Sequence, residues 1–288
     1  MNSKKYFLNI LGQDRATDFL SRILHSKHIH HGFIFLGPEG VGRFSTAIHF
    51  ASALNNIPFE NWQSCPRILV LSRKEKESIG IDTVRDELLP FFALRTEPEH
   101  WRVAIVKEAE TLTEDAQNAL LKTLEEPPLR SVLIFIASRA SLLATVVSRC
   151  ITIRFNPLSE SHIIEILKKE GFSEEKRQKA ATLSSGSVKN ALFLLKHNLS
   201  DLTLECVETI ISANDAFDTT CEILLGLSRS SAANFCDILL PLVAARTQDL
   251  NRRLSLCEHI ITLKRAIEAN ANIRLATLAF SSALENLQ

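Results

Sequence analysis

Two patterns of apolar residues succeed one another along the chain, and they change over at Asn156-Pro157-Leu158. Before that point lie five short, continuously apolar runs rich in β-branched and aromatic residues: Phe33–Leu36, Ile68–Leu71, Val103–Val106, Val132–Ile136 and Ile151–Ile153. Runs of this kind mark strands buried on both faces of a parallel sheet. Between them apolar positions recur at helical spacing. Ala16, Phe19, Leu20, Ile23 and Leu24 predict a helix over residues 9–25, and Ala47, Phe50, Ala51 and Leu54 predict one over Thr46–Asn56. Gly80-Ile81-Asp82-Thr83 opens a third, with Val84, Leu88 and Leu89 on its apolar side, ending at Pro90 or in the turn beyond. The clearest βαβ unit runs from Arg102 to Ile136. Its helix carries Ala116, Ala119, Leu120, Thr123 and Leu124 on one stripe, begins with Thr111 and Glu114 as a capping box, and stops before Pro127-Pro128.

After residue 157 the pattern is helical throughout. Residues 160–198 read as three short helices, the first capped by Ser159 and ended by Gly171, with Gly186 separating the other two. Amphipathic runs at 202–212, 216–228, 231–247, 252–269 and 272–287, joined by short connections, predict an antiparallel bundle. The expected division is an α/β domain over 1–156, a small helical domain over 157–200 and a helical bundle over 201–288.

A chain of 288 residues accommodates roughly two domains or more. Lys plus Arg and Asp plus Glu number 33 each, so no broad basic surface supports a nucleic-acid-binding protein acting alone; any phosphate contact has to be local. The six cysteines include no CxxC pair and read as reduced, buried thiols. The start MNSKKYFLNILG is too short in apolar residues for a signal peptide, and no run approaches the roughly 18 apolar residues of a membrane span, so a cytoplasmic protein without membrane contact is expected. His25, His28, His30 and His31 crowd together without a carboxylate or cysteine at ligand spacing, which gives no reason to expect a metal there.

The stretch GPEGVGRFS directly follows the first strand. Gly37, Gly40 and Gly42 allow the backbone to curl so that its N–H groups face a phosphate at the next helix N-terminus. The GxxxxGK[ST] pattern, however, wants lysine where Arg43 stands and a magnesium-binding hydroxyl where Phe44 stands; Ser45 comes one position too late. A tight glycine turn kept for strand–helix packing is the competing reading.

The run EDAQNALLKTLEEPP (Glu114–Pro128), followed by a strand and then Ser148-Arg149-Cys150, resembles the clamp-loader branch of the AAA+ ATPases, and its LEEPP ending resembles the bacterial members. The resemblance extends from Gln13 to about Ala191. It implies an AAA+ module, with a five-stranded parallel sheet, flanking helices and a small helical lid, followed by a C-terminal helical collar. It further implies that Lys107-Glu108 occupies the place of the Asp-Glu pair that holds magnesium, that Ser138 sits at a sensor position, and that Lys189 in GSVKNA replaces a sensor arginine. Arg149 corresponds to the arginine presented to the ATP of a neighbouring subunit, although an arginine stabilising a helix C-terminus is an equally simple reading of that residue alone. Where relatives hold a four-cysteine zinc module, only Cys65 stands. The implied protein is an ATPase-inactive member of a hetero-pentameric ring with tau/gamma and delta subunits, acting on a sliding clamp and primed DNA, without a metal and without a cofactor, neither ATP, ADP nor zinc being expected. The alternatives are a catalytic tau/gamma-type ATPase with divergent motifs and a DNA-binding protein acting alone.

Overall fold

The five apolar runs become strands β1 Gly32–Leu36, β2 Ile68–Leu71, β3 Arg102–Val106, β4 Ser131–Ala137 and β5 Ile151–Arg154 in the computed structural model. It describes residues 6–26, 28–73, 78–94, 97, 99–212 and 216–285. Residues up to Lys5, and residues 286–287 of the last predicted helix, lie outside the described residues. The strands form one parallel sheet in the order β2-β3-β4-β1-β5, with Gly32 opposite Leu133 and Phe33 opposite Ile151.

Alternation along the strands divides the core into two layers. Phe33 and Phe35 of β1, Val103 and Ile105 of β3, and Val132, Ile134 and Ile136 of β4 pack on one face with Ala16 and Leu20 of α1 (Asp14–His25) and Phe50 of α2 (Arg43–Leu54). Ile34, Ala104, Val106, Leu133 and Phe135 face the other way, against Leu120 and Leu124 of the helix Glu114–Glu125. Complete burial of a large side chain such as Phe33 or Phe135 contributes about 1.5–3 kcal/mol, so the central strands are the most firmly held part of this unit.

The predicted boundaries shift at α1, at α2 and at the cap of the helix Glu114–Glu125. Helix α1 starts at Asp14, because Gly12 at φ 71 turns the backbone out of helical geometry. The segment after Gly80 ends in the turn beyond Pro90, as the sequence predicts. A short helix α3 (Ile81–Thr83) leads into a π turn over Val84–Leu88, and α4 (Leu89–Ala93) follows, so that Pro90 falls in a first turn, where a missing N–H is tolerated. The helix α5 (Glu114–Glu125) is capped by Thr113, whose hydroxyl accepts from the Ala116 N–H at 3.2 Å, and not by Thr111. Thr111 belongs to the preceding 3-10 turn, where its hydroxyl donates to the Glu108 carbonyl at 2.8 Å.

A four-residue helix α6 (Ala144–Val147) precedes β5, and the first compact unit ends at Pro157. The second unit, from Leu158, is all-helical. Its helices α7 (Glu160–Leu167), α8 (Glu174–Leu183) and α9 (Val188–Lys196) agree with the three predicted short helices, and Ser159 accepts from the His162 N–H as the expected cap. Then come α10 (Ser200–Ser212), α11 (Ala216–Leu225), α12 (Arg229–Arg246), α13 (Leu250–Glu268) and α14 (Ile273–Glu285). One apolar cluster runs from Leu183, Leu194 and Leu199 through Val207, Phe235, Leu239 and Ile260 to Phe280. No described helix is long and apolar enough to cross a membrane.

Candidate functional site

Parallel strands present all their carboxyl ends along one edge of the sheet, and three neighbouring strands bring candidate residues there. Gly37 follows β1, Ser138 follows β4 and Lys107 follows β3. Gly37 is required by close approach, since an added Cβ would run into the Phe155 carbonyl oxygen and come within 3.0 Å of the Phe155 Cβ. Gly40 and Gly42 turn the loop through φ 74 and φ 95 into the N-terminus of α2, and the space where a Gly42 Cβ would stand is open to 4 Å. The buried Gln13 braces the loop from outside: its amide donates to the Val41 carbonyl at 3.1 Å and the Asn156 carbonyl at 2.7 Å, tying the loop to the strand that ends beside it. Sequence reading gave Gln13 no part in the loop. Nothing in a lone glutamine signals contacts 28 and 143 residues away.

Arg43 opens α2 and is 7 % exposed. Its Nη1 is buried without a hydrogen-bond partner, and burial lowers its pKa against the opposing attraction of Glu110 and Glu39. A buried arginine with an idle donor, on the first residue of the helix that the glycine loop enters, fits a phosphate group. The magnesium position is different. Phe44 has no oxygen to offer, and the Lys107 ammonium lies over its ring, 5.0 Å from the centroid, a contact worth about 0.5–1 kcal/mol at a partly exposed site. Trp62 also packs edge-to-face with Phe44, ring centroids 5.8 Å apart. The two departures read separately in the sequence are thus one contact in space, and a dication that demands six oxygen ligands does not fit there.

Glu108 adopts a left-handed φ of 51 and pairs with Arg73 at 3.1 Å. The carboxylate that reaches the sensor position is Glu110, which sequence reading missed. It accepts from the Ser138 N–H at 3.2 Å and from the Ser138 hydroxyl.

The Ser148-Arg149-Cys150 element lies at the opposite edge of the sheet. It precedes β5, and the half-buried Cys150 sulfur sits where an added Cβ on Gly32, the first residue of β1, would be 2.8 Å away. Gly32 thereby admits the turn that carries Arg149. The guanidinium donates to the Thr145 carbonyl at 2.8 Å and the Ser148 hydroxyl at 3.3 Å, and its Nη2 pairs with Glu125 at 2.5 Å. The Thr145 contact is the helix-end role that the residue alone suggested. Glu125 is the first glutamate of LEEPP, a partner no spacing rule connects to a residue 24 positions on. Lys189 falls in the first turn of α9 in the second unit, behind a Ser187 cap.

All six cysteines are free thiols. His31 bonds the Leu124 carbonyl at 2.7 Å and stacks on His30, and among the described residues no group of three or more His, Cys, Asp or Glu is placed to hold a metal ion.

Comparison with known proteins adds the following. The sequence family described as "DNA polymerase III, delta subunit" matches residues 12–159, just over half of the chain. The chain is 29% identical over 208 residues to the DNA polymerase III subunit tau/gamma of Haemophilus influenzae, covering 66% of this chain and 30% of that one. It is 30% identical over 203 residues to replication factor C subunit 2 of Oryza sativa subsp. japonica, covering 65% and 58%. The first bacterial relatives are longer: the chain spans between 30% and 59% of their length. Among solved structures, a gamma subunit-related protein of Thermotoga maritima superposes with a TM-score of 0.58 at 18% identity, covering 93% of this chain and 98% of that one. The Thermotoga maritima RuvB Holliday junction branch migration motor gives 0.50 at 17%, covering 91% and 78%.

These relatives overturn one expectation. A chain without any cofactor is not supported, because its sequence relatives, the tau and gamma subunits and replication factor C, are AAA+ ATPases that bind nucleotide, and the loop here keeps a glycine geometry and a buried cation suited to a phosphate. Substituting Arg43 for lysine changes the shape of the cation and leaves its charge, which is why reading the motif letter by letter misjudged the site. With the five-stranded parallel sheet, the glycine loop and these relatives together, the chain belongs to the clamp-loader family of AAA+ proteins.

Proposed function

We propose that this chain is the delta-prime subunit of a bacterial DNA polymerase III clamp loader, a ring member that does not itself hydrolyse ATP and lends Arg149 to the ATP held by a neighbouring subunit. The observation that carries the reading is the position of Arg149. It precedes β5 beside the first residue of β1, whereas the chain's own glycine loop follows the last residue of β1, so the full strand Gly32–Leu36 separates them. Five extended residues span roughly 15 Å, beyond the reach of an arginine side chain. Arg149 therefore cannot serve its own loop. It is a partly exposed guanidinium at the far edge, suited to spreading its donors over the oxygens of a phosphate brought by another chain.

In this reading the partners are tau/gamma and delta subunits in a hetero-pentameric ring in the cytoplasm, the ring acts on the sliding clamp and primed DNA, residues 1–156 and 157–200 form the AAA+ module with its lid, and the bundle from 201 onward is the collar of assembly. Ser148 and Cys150 seat the arginine, Ser138 and Lys189 stand at sensor positions, and Phe44 with Lys107 replaces the metal ligands of hydrolysis. The test is a reconstituted complex carrying Arg149→Ala or Arg149→Lys. Both should assemble and both should lower clamp- and DNA-stimulated hydrolysis by the partner, because an ammonium lacks the planar fork. Clamp loading at the unmodified rate in Arg149→Ala would overturn the role.

The similarity to tau and gamma subunits favours a second reading, a tau/gamma-type ATPase with divergent motifs. Phosphate release by the isolated chain with magnesium separates the two: turnover that survives repurification and is lost in Gly42→Asp supports the second reading.

A further inference from the structure

The chain has replaced both magnesium ligands yet kept a loop shaped for phosphate, and the replacements touch one another. Phe44, at the hydroxyl position, lies beneath the ammonium of Lys107, at the carboxylate position. The residue before Phe44 is Arg43, buried, with Nη1 unpartnered. Two cations thus stand at a loop whose Gly40 and Gly42 adopt left-handed φ and whose Gly42 has open space where a Cβ would stand. The carboxylates nearby are accounted for in part: Glu110 accepts from Ser138, Glu108 pairs with Arg73, and Glu39 in the loop attracts Arg43.

We propose that the loop binds the di- or triphosphate of a nucleotide without a divalent cation, Arg43 and Lys107 supplying the positive charge that magnesium supplies in metal-dependent sites. In such sites the dication offsets the repulsion between phosphate oxygens. Here a fixed ammonium and a fixed guanidinium do so, and a dication brought to the same place would meet the Lys107 charge without an oxygen ligand from Phe44. The loop then acts as a structural nucleotide site, holding β1, α2 and Lys107 together. The inference deepens the proposed function and rests on its reading of Phe44 and Lys107 as standing in place of the magnesium ligands.

The experiment is equilibrium binding of a fluorescent ADP to the full chain, once in excess magnesium and once in excess EDTA. Affinity should change by less than about threefold between the two, and Arg43→Ala should weaken binding by about tenfold or more. The paired variant Phe44→Ser with Lys107→Asp should make binding depend on magnesium. Inorganic pyrophosphate and ATP run as competitors separate recognition of the phosphates from recognition of the whole nucleotide, and either competing supports the site. No binding in either buffer, or binding that appears only with magnesium, overturns the inference, and the wild-type comparison decides this even where a variant fails to fold. Binding without magnesium but accompanied by turnover would leave this inference standing and remove the non-hydrolysing assignment; loss of binding would leave the Arg149 experiment untouched.

Discussion

Arg149 and Glu125 form an ion pair of 2.5 Å, so the two sequence elements that carry the clamp-loader resemblance, LEEPP and Ser-Arg-Cys, meet at one point on the amino edge of the sheet. The side chains are 34 % and 49 % exposed, and a pair of that exposure contributes about 0.2–1 kcal/mol to stability. Neither Glu125→Ala nor Arg149→Ala should therefore shift the melting temperature by more than about 4 °C. Their effects on a partner's ATP hydrolysis should have opposite signs. On the proposed trans role, Arg149→Ala should lower the rate roughly a thousandfold at that one interface, whereas Glu125→Ala releases the guanidinium from a competing carboxylate and should raise the rate there. Hydrolysis measured with the other interfaces inactivated reads both. A fall in Glu125→Ala would mean that Glu125 aims Arg149.

Two glycines of one loop are expected to respond differently to alanine. At Gly37 the added methyl meets the Phe155 backbone, which cannot yield without moving the end of β5, so Gly37→Ala should cost about 2–3 kcal/mol. At Gly42 the space is empty and only the left-handed φ of 95 opposes substitution, so the loss should be about 1–2 kcal/mol. Urea denaturation of the two variants side by side checks the order.

The cap of α5 gives a sharper test of local structure. Thr113→Ala removes the hydroxyl that accepts from Ala116 and should cost about 1 kcal/mol. Thr111→Ala removes only a hydroxyl donating to a nearby carbonyl and should cost less.

The same helix shows where sequence stops being legible. Its stripe, its stop at the double proline and the strands on either side could be read because burial on two faces leaves continuous apolar runs, and a crossover helix leaves a one-sided stripe. Which of two threonines caps it could not, since both stand near a Glu and the choice depends on a 3-10 turn over Ala109–Thr111. The site divides in the same way. Gly37, Gly40, Gly42, Arg43, Phe44 and Arg149 were legible as motif letters. The contacts that give them meaning, Lys107 on Phe44, Glu110 on Ser138 and Glu125 on Arg149, join residues far apart in the chain through the order of the strands.

Stability should fall at alkaline pH through buried thiols. Burial pushes Cys206 and Cys236 from the ordinary value of 9.0 up to about 12. Between these values the unfolded chain has lost the proton and the folded chain has kept it. The neutral thiols therefore support the fold fully below pH 9.0 and lose that support as pH rises toward about 12, at about 1.4 kcal/mol per pH unit for each. Cys236→Ala should lower stability at neutral pH by leaving a cavity, yet flatten the alkaline decline. An unchanged slope would mean that the thiol ionises freely in the folded protein.

Where the chain is cut should matter more than how much of it is removed. Residues up to Pro157 contain both faces of the sheet core, with no described core residue of those two clusters lying beyond it. A fragment of residues 1–157 should accordingly unfold in a single cooperative transition. Extending it to Asn198 adds α7, α8 and α9, but Leu183 of α8 and Leu194 of α9 belong to the cluster built mainly by Val207, Phe235, Leu239 and Ile260. Each is fully buried in the whole chain, and uncovering each forfeits about 1.5–3 kcal/mol. The longer fragment should thus bind an apolar dye and be trimmed by protease back toward residue 157, while the shorter one resists. If the fragment ending at Asn198 proves as resistant as the whole chain, Leu158, Ile163, Leu167 and Ala180 of the smaller cluster suffice to hold the three helices, and the larger cluster stabilises only the bundle.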